Sequence, residues 1–266
     1  MVPAAKGGIV LVLLAATSTG GYFLFNSQTG EVKHPVVLSS RDNLTNFYAA
    51  EKFGNIYSIY MVDPNNEENK WWWEKVYGDF QKDLIDDNKK NGLSTEFTKD
   101  KINKAYASST ENGGSKALNQ VCDVALKKTP TELKTPDNYE NNVWTYCSIV
   151  NAKYKFVDIA NAGNKLISDT QHKNKAVSAE NSDNSSFWDR RNKEFFGEAN
   201  KAGTGENASK GSIFETLYKS KSSTSPTSDN IKQKCQESYN LEKTENNTPL
   251  KATHEDIKKF CYLIPE

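Results

Sequence analysis

Apolar positions recur at helical spacing in several stretches of this chain, and most of those stretches come in pairs. Trp73, Tyr77, Phe80 and Leu84 fall at i, i+4, i+7 and i+11, one face of an amphipathic helix. The spacing predicts a helix over about 71–86. Trp188, Phe195 and Ala199 repeat the stripe and predict a second helix over about 187–200. Val143, Tyr146, Cys147 and Val150 run i, i+3, i+4, i+7, and so do Ile257, Phe260, Cys261 and Ile264. Leu118, Cys122 and Leu126 are answered by Ile231, Cys235 and Tyr239 at i, i+4, i+8. Each of these four helices sets its cysteine in the apolar face, where a neighbouring helix can meet it.

Shorter elements fill the gaps. Ser40 is a plausible helix cap ahead of Leu44, Phe47 and Tyr48, although Val36, Val37 and Leu38 fit a short strand equally well. A short helix is expected over 99–107, echoed over 213–219. Val62 to Asn66 reads as a turn, and Gly113-Gly114 and residues 222–228 read as flexible links. Thr253 with Asp256 resembles a capping box that opens one cysteine helix. Pro136 stands where the first position of its counterpart is expected.

The pairing of these elements is an internal repeat. The offset between copies is 115 at the tryptophans Trp73 and Trp188, 112 at Tyr106 and Tyr218, 113 at the first cysteines and 114 at the second. Within a copy the cysteines lie 25 or 26 residues apart. Four anchors in one order, within three residues of one offset, point to a module present twice. The expected organisation is an N-terminal segment over 1–33, a first helical domain over 34–150 and a second over 151–266.

The most apolar part precedes the repeat. Residues 7–25 are nineteen in a row without a charge, close to the ~20 a helix needs to cross a bilayer. Lys6 precedes the run, and Glu31 and Lys33 follow it. That weak asymmetry places the amino terminus inside and the bulk of the chain outside. A cleaved signal peptide is the alternative, with Ala15, Ala16, Thr17 and Ser18 near the cut. Apolar Tyr22 to Phe25 continue past that point and favour an uncleaved anchor held in the lipid bilayer.

Composition narrows the classes of function. The 266 residues carry 34 basic and 34 acidic side chains, so the long-range attraction that nucleic-acid binding needs is missing. A mean hydropathy of −0.74 describes a lean core, which aromatics at 11% partly offset. Four cysteines beyond an export segment read as disulfides. Three pairings are open to them, and self-contained copies select Cys122 with Cys147 and Cys235 with Cys261. The alternative is four buried free thiols in a cytosolic chain.

Candidate chemistry is sparse. His34, His172 and His254 stand in three separate places and in no metal-ligand spacing, and His254 at a helix start is expected to be solvated. Asp87 to Thr98 resembles a calcium loop, but Lys89 and Thr98 occupy liganding positions. Gly203-Thr204-Gly205-Glu206-Asn207-Ala208 fits a dinucleotide fingerprint on paper and follows a helix rather than a strand. Neither catalytic residues, metal ligands nor a cofactor are expected. Trp71, Trp72 and Trp73 cannot all be buried by one helix. Trp71 and Trp72 are therefore candidate contacts for a partner, a host protein or glycan.

These features together resemble the paralogous membrane-anchored surface proteins of haemotropic mycoplasmas. The shared pattern is the apolar start over 7–25, the Trp73 helix, then Cys122 and the Tyr146-Cys147 helix, with Trp188, Cys235 and Phe260-Cys261 as a second unit. The resemblance implies a surface protein facing a host and brings no catalytic residues with it. The chain is thus expected to be mainly α: a membrane helix, then two tandem helical domains, each stapled by one disulfide. Its expected place is the cell membrane, in a single pass with the bulk outside, for antigenic display or host interaction. An exported enzyme with a site assembled between the two domains is the alternative.

Overall fold

Why the two copies fold alike is clearest at two asparagines. Asn69 is fully buried, four residues before Trp73. Its Oδ1 accepts from the Val36 amide at 2.7 Å, and its Nδ2 donates to the carbonyls of Val36 and Asp63 at 2.8 and 2.9 Å. Asn184, four residues before Trp188, is equally buried and does the same with Lys155 and Ser178. One amide thereby ties the entering chain to the start of a helix, satisfying backbone groups that would otherwise be buried unpaired.

The computed structural model describes residues 25–26, 32–108, 116–198, 201–222, 230–243 and 251–266. The expected anchor over 7–25 lies outside the described residues except for Phe25, which with Asn26 pairs antiparallel to Val32–Lys33. Among the described residues, no helix is long and apolar enough to cross a membrane. The chain falls into two compact units that divide between Lys153 and Tyr154, and each has its own core.

The first unit carries α1 (Phe53–Ile56), α2 (Lys70–Ile85), α3 (Leu118–Leu126) and α4 (Tyr139–Cys147). The second carries α5 (Ser185–Phe196), α6 (Ile213–Lys219), α7 (Ile231–Tyr239) and α8 (His254–Phe260). Both are mainly helical. In the first, Cys122 of α3 is bonded to Cys147 of α4; in the second, Cys235 of α7 is bonded to Cys261 just past α8. All four are fully buried. Each bridge closes a loop of 25 or 26 residues, worth roughly 3–4 kcal/mol through the unfolded chain.

Three short extended segments run beside each disulfide, and of these the apolar pattern offered only Val36 to Leu38, as the alternative to a helix. In the first unit the Val62 amide donates to the Cys147 carbonyl and the Ile149 amide to the Tyr60 carbonyl, while Leu38 reaches Met61. In the second, Val177 donates to Cys261, Leu263 to Lys175 and Val157 to Ala176. The isolated bridges follow the same register, Val37 to Val62 and Met61 to Ser148, then Phe156 to Val177 and Ala176 to Tyr262.

Aromatic side chains fill both cores. Phe53, Tyr57 and Trp144 cluster in the first unit with centroids 4.6–5.7 Å apart. Phe195, Phe214 and Phe260 do so in the second, with Phe260 5.1–5.2 Å from the other two. Such tilted and edge-on ring contacts supply apolar burial in a chain with a lean core.

Several expectations are corrected. Residues 40–48 form no helix: Asn43 takes a left-handed conformation (φ 53°) and the backbone closes into separate 3-10 turns. Residues 99–107 are not helical either, because Asn103 and Leu118 trade backbone bonds with Lys116 and Lys104, and the Asn119 amide holds both polar groups of Ala107. Pro136 is not the first helical residue; α4 begins at Tyr139 after left-handed Asn138 (φ 63°). Helix α5 stops at Phe196, where Gly197 (φ 71°) turns the chain into a hairpin with Lys201–Ala202. Thr253 and Asp256 do make the reciprocal capping box. The link at Gly113-Gly114 lies outside the described residues.

Candidate functional site

A polar cleft in the first unit lies where α2 ends beside the end of α4. It has a volume of about 210 Å³ and is lined by Val76, Asp79, Lys82, Asp83, Lys89, Thr145, Tyr146 and Asn151. Asp79 and Asp83 are one turn apart on α2, so both carboxylates face one way. The Tyr146 hydroxyl donates to Asp83 at 2.8 Å, and the Lys89 ammonium lies 2.7 Å from the same carboxylate. Lys82 and Lys75 approach Asp79 at 2.8 and 3.6 Å. Phe80 and Phe97 pack against the Tyr146 ring with centroids 5.4 and 5.5 Å away and fix its direction.

Burial, and then the bond to Asp83, push the Tyr146 hydroxyl well above the ordinary tyrosine range. It is therefore a permanent donor at neutral pH. The hydrogen bond to Asp83 raises the Lys89 ammonium, while burial lowers Lys75. Asn151 sits in the left-handed region (φ 55°), and its side-chain oxygen is buried without a hydrogen-bond partner. Together these groups set two carboxylates, each paired with lysine ammonium groups, around one small space.

The second unit holds a different constellation. His172 Nε2 lies 2.8 Å from His254 Nδ1, and His172 Nδ1 lies 2.9 Å from the Tyr262 hydroxyl. That hydroxyl donates to the Gln171 carbonyl at 2.9 Å. It therefore accepts from His172 Nδ1, which leaves Nε2 to accept the Nδ1 proton of His254. His172 is fully buried, and burial followed by the nearby His254 lowers its pKa to about 4. The expectation of three separate histidines is thus corrected for two of them. Folding brings them together because Asp169 caps the turn Thr170–His172 and Thr253 caps α8 at His254.

The tryptophan cluster is largely internal. Trp72 and Trp73 are each 0% exposed, and their rings meet edge-on at 4.6 Å. Of the two residues read as candidate partner contacts, Trp72 is thus fully buried and Trp71 half-buried. Gly203 and Gly205 have a packing reason, since a Cβ on Gly203 would stand 2.1 Å from the Phe195 carbonyl oxygen and one on Gly205 2.5 Å from Tyr218. Among the described residues, no group of three or more His, Cys, Asp or Glu side chains could hold a metal ion.

Sequence reasoning missed the two clamping asparagines, the histidine pair and the Asp83–Tyr146 contact. A signal for the first was present as Asn-x-x-x-Trp in both copies. The others join positions 63 and 82 apart with no shared motif.

No family model, no curated protein and no solved structure matches this chain.

Proposed function

We propose that this chain is an anchored surface protein that holds two copies of a disulfide-stapled helical module outside the cell, for display to a host or contact with it. The observation that carries the reading is the pair of buried disulfides at equivalent places in the two units. Such bonds form and persist in oxidising surroundings, and small domains with lean cores depend on them. The uncharged stretch over 7–25 supplies the anchor in this reading. Its resemblance to the surface proteins of haemotropic mycoplasmas points the same way.

A membrane-impermeant amine label applied to intact cells, followed by mild protease shaving, tests it. Lysines from both units are expected to carry label, and both units to be shed. Complete protection of both, with labelling restored by detergent, would place the chain inside and overturn the proposal.

A further inference from the structure

Between Ile167 and Ala176 one residue is fully buried, His172; those on either side of it are half-buried or exposed. Left-handed Asn174 (φ 56°) turns the chain just beyond it. The His172 ring reaches inward to two elements. Its Nε2 faces His254 at the start of α8 at 2.8 Å, and its Nδ1 faces the Tyr262 hydroxyl at 2.9 Å. That hydroxyl returns a bond to the Gln171 carbonyl at 2.9 Å. One imidazole thus fastens both the side chain and the backbone of the turn.

The arrangement suits a neutral ring. His172 Nε2 accepts the Nδ1 proton of His254, and a proton added there sets two N–H groups against each other unless His254 moves its own. With both rings charged, no acceptor is left between them. The carboxylates that face the cluster are held elsewhere: Asp169 by the Gln171 amide at 3.1 Å, Glu255 by Lys258 at 2.8 Å and Glu266 by Lys175 at 2.7 Å. Lys175 and Lys258 add further positive charge near the ring.

We infer that His172 is an acid-released pin, which holds the turn between Ile167 and Ala176 down at neutral pH and lets it go on protonation while the rest of the second unit stays folded. The turn is anchored independently at both ends. The Leu166 amide donates to the Leu241 carbonyl at 2.6 Å and the Val177 amide to the Cys261 carbonyl at 3.0 Å. The start of α8 keeps its capping box, the Ser209 amide on Asp256 at 2.9 Å and the buried bond from Cys235 to Cys261. Burial and then His254 hold the pKa of His172 at about 4, whereas a released, solvated ring takes its proton near 6.5. The released form binds more protons between those values, so release is favoured as pH falls through them.

The first unit puts other groups in these places. Val62 on Cys147 and Val177 on Cys261 set a common register, which aligns Tyr57 with His172 and Glu140 with His254. Burial, and then Glu140, raise the Tyr57 hydroxyl, so it stays neutral throughout the acid range. Acid is therefore expected to loosen one copy of the module and not the other. Release needs no particular compartment and stands or falls apart from the display role.

The test is hydrogen exchange read by mass spectrometry on the full oxidised chain in detergent at pH 7 and pH 5, with rates corrected for the intrinsic effect of pH. Protection across 168–175 is expected to fall about twentyfold, while that across 53–60 and across α7 holds. His172→Phe keeps the turn pinned by an apolar ring and is expected to abolish the pH effect. Should that variant not fold, an NMR titration of the His172 ring in the unaltered chain decides, with a midpoint expected well below the ordinary histidine range. Unchanged protection at 168–175, equal losses in the two units, a loss that takes α7 with it, or a His172 ring that titrates near 6.5 would each overturn the inference.

Discussion

His172 and His254 stand 82 residues apart in the chain and share one proton across 2.8 Å. The contact makes the second unit sensitive to acid. The folded unit holds His172 neutral with a pKa lowered to about 4, chiefly through burial, whereas the unfolded chain takes up that proton near 6.5. Between those values the unfolded state binds more protons, so stability falls as pH falls through that window and is complete above it. The difference amounts to roughly 3 kcal/mol at most. Charged neighbours set the balance: Asp169 favours the proton, while Lys175 and Lys258 oppose it. Urea melts followed at the Trp188 environment are expected to show the loss between pH 6.5 and 4, and His172→Phe to remove most of that dependence. A melt that does not change with pH would contradict it.

Replacing Asn69 or Asn184 by Ala is expected to cost roughly 2–4 kcal/mol, because each leaves buried backbone groups unpaired. Asp at either position is expected to do no better, since it keeps the acceptor but loses both donated bonds. The local nature of the damage is checked by hydrogen exchange. Asn69→Ala is expected to open the stretch around Val36 and Asp63, and Asn184→Ala the stretch around Lys155 and Ser178, each leaving its counterpart protected.

Trp72 and Trp71 separate packing from surface. Trp72→Ala removes a fully buried ring and is expected to destabilise the chain by roughly 3–5 kcal/mol. Trp71→Ala removes a half-buried one and is expected to cost about half as much. Denaturant midpoints for the two variants measure the difference.

What the sequence made legible was what repeats at short range. The stripe through Trp73 and Phe80 located α2 to within a residue at each end, and the cysteine-centred patterns located α3, α4, α7 and α8. Long-range pairing of the cysteines followed from treating each copy as self-contained, and both bonds are present. Backbone taken over by distant partners was not legible. Residues 99–107 keep a helical pattern in Ile102, Ala105 and Tyr106, yet Lys116 and Asn119 occupy the hydrogen bonds a helix needs. The stripe on α5 likewise did not register Arg191, a charged residue that lies on the buried face because three acceptors wait for it there. The polar cleft and the histidine pair depend on contacts across 63 and 82 positions, for which local spacing carries no signal.

One module is used twice in this chain, each copy locked by its own disulfide. The most direct measurement is a non-reducing peptide map of the chain from cells whose free thiols were blocked before lysis. The account predicts no blocked cysteine and two linked peptide pairs, Cys122 with Cys147 and Cys235 with Cys261. Four blocked thiols, or a bridge joining a cysteine of one copy to one of the other, would contradict it.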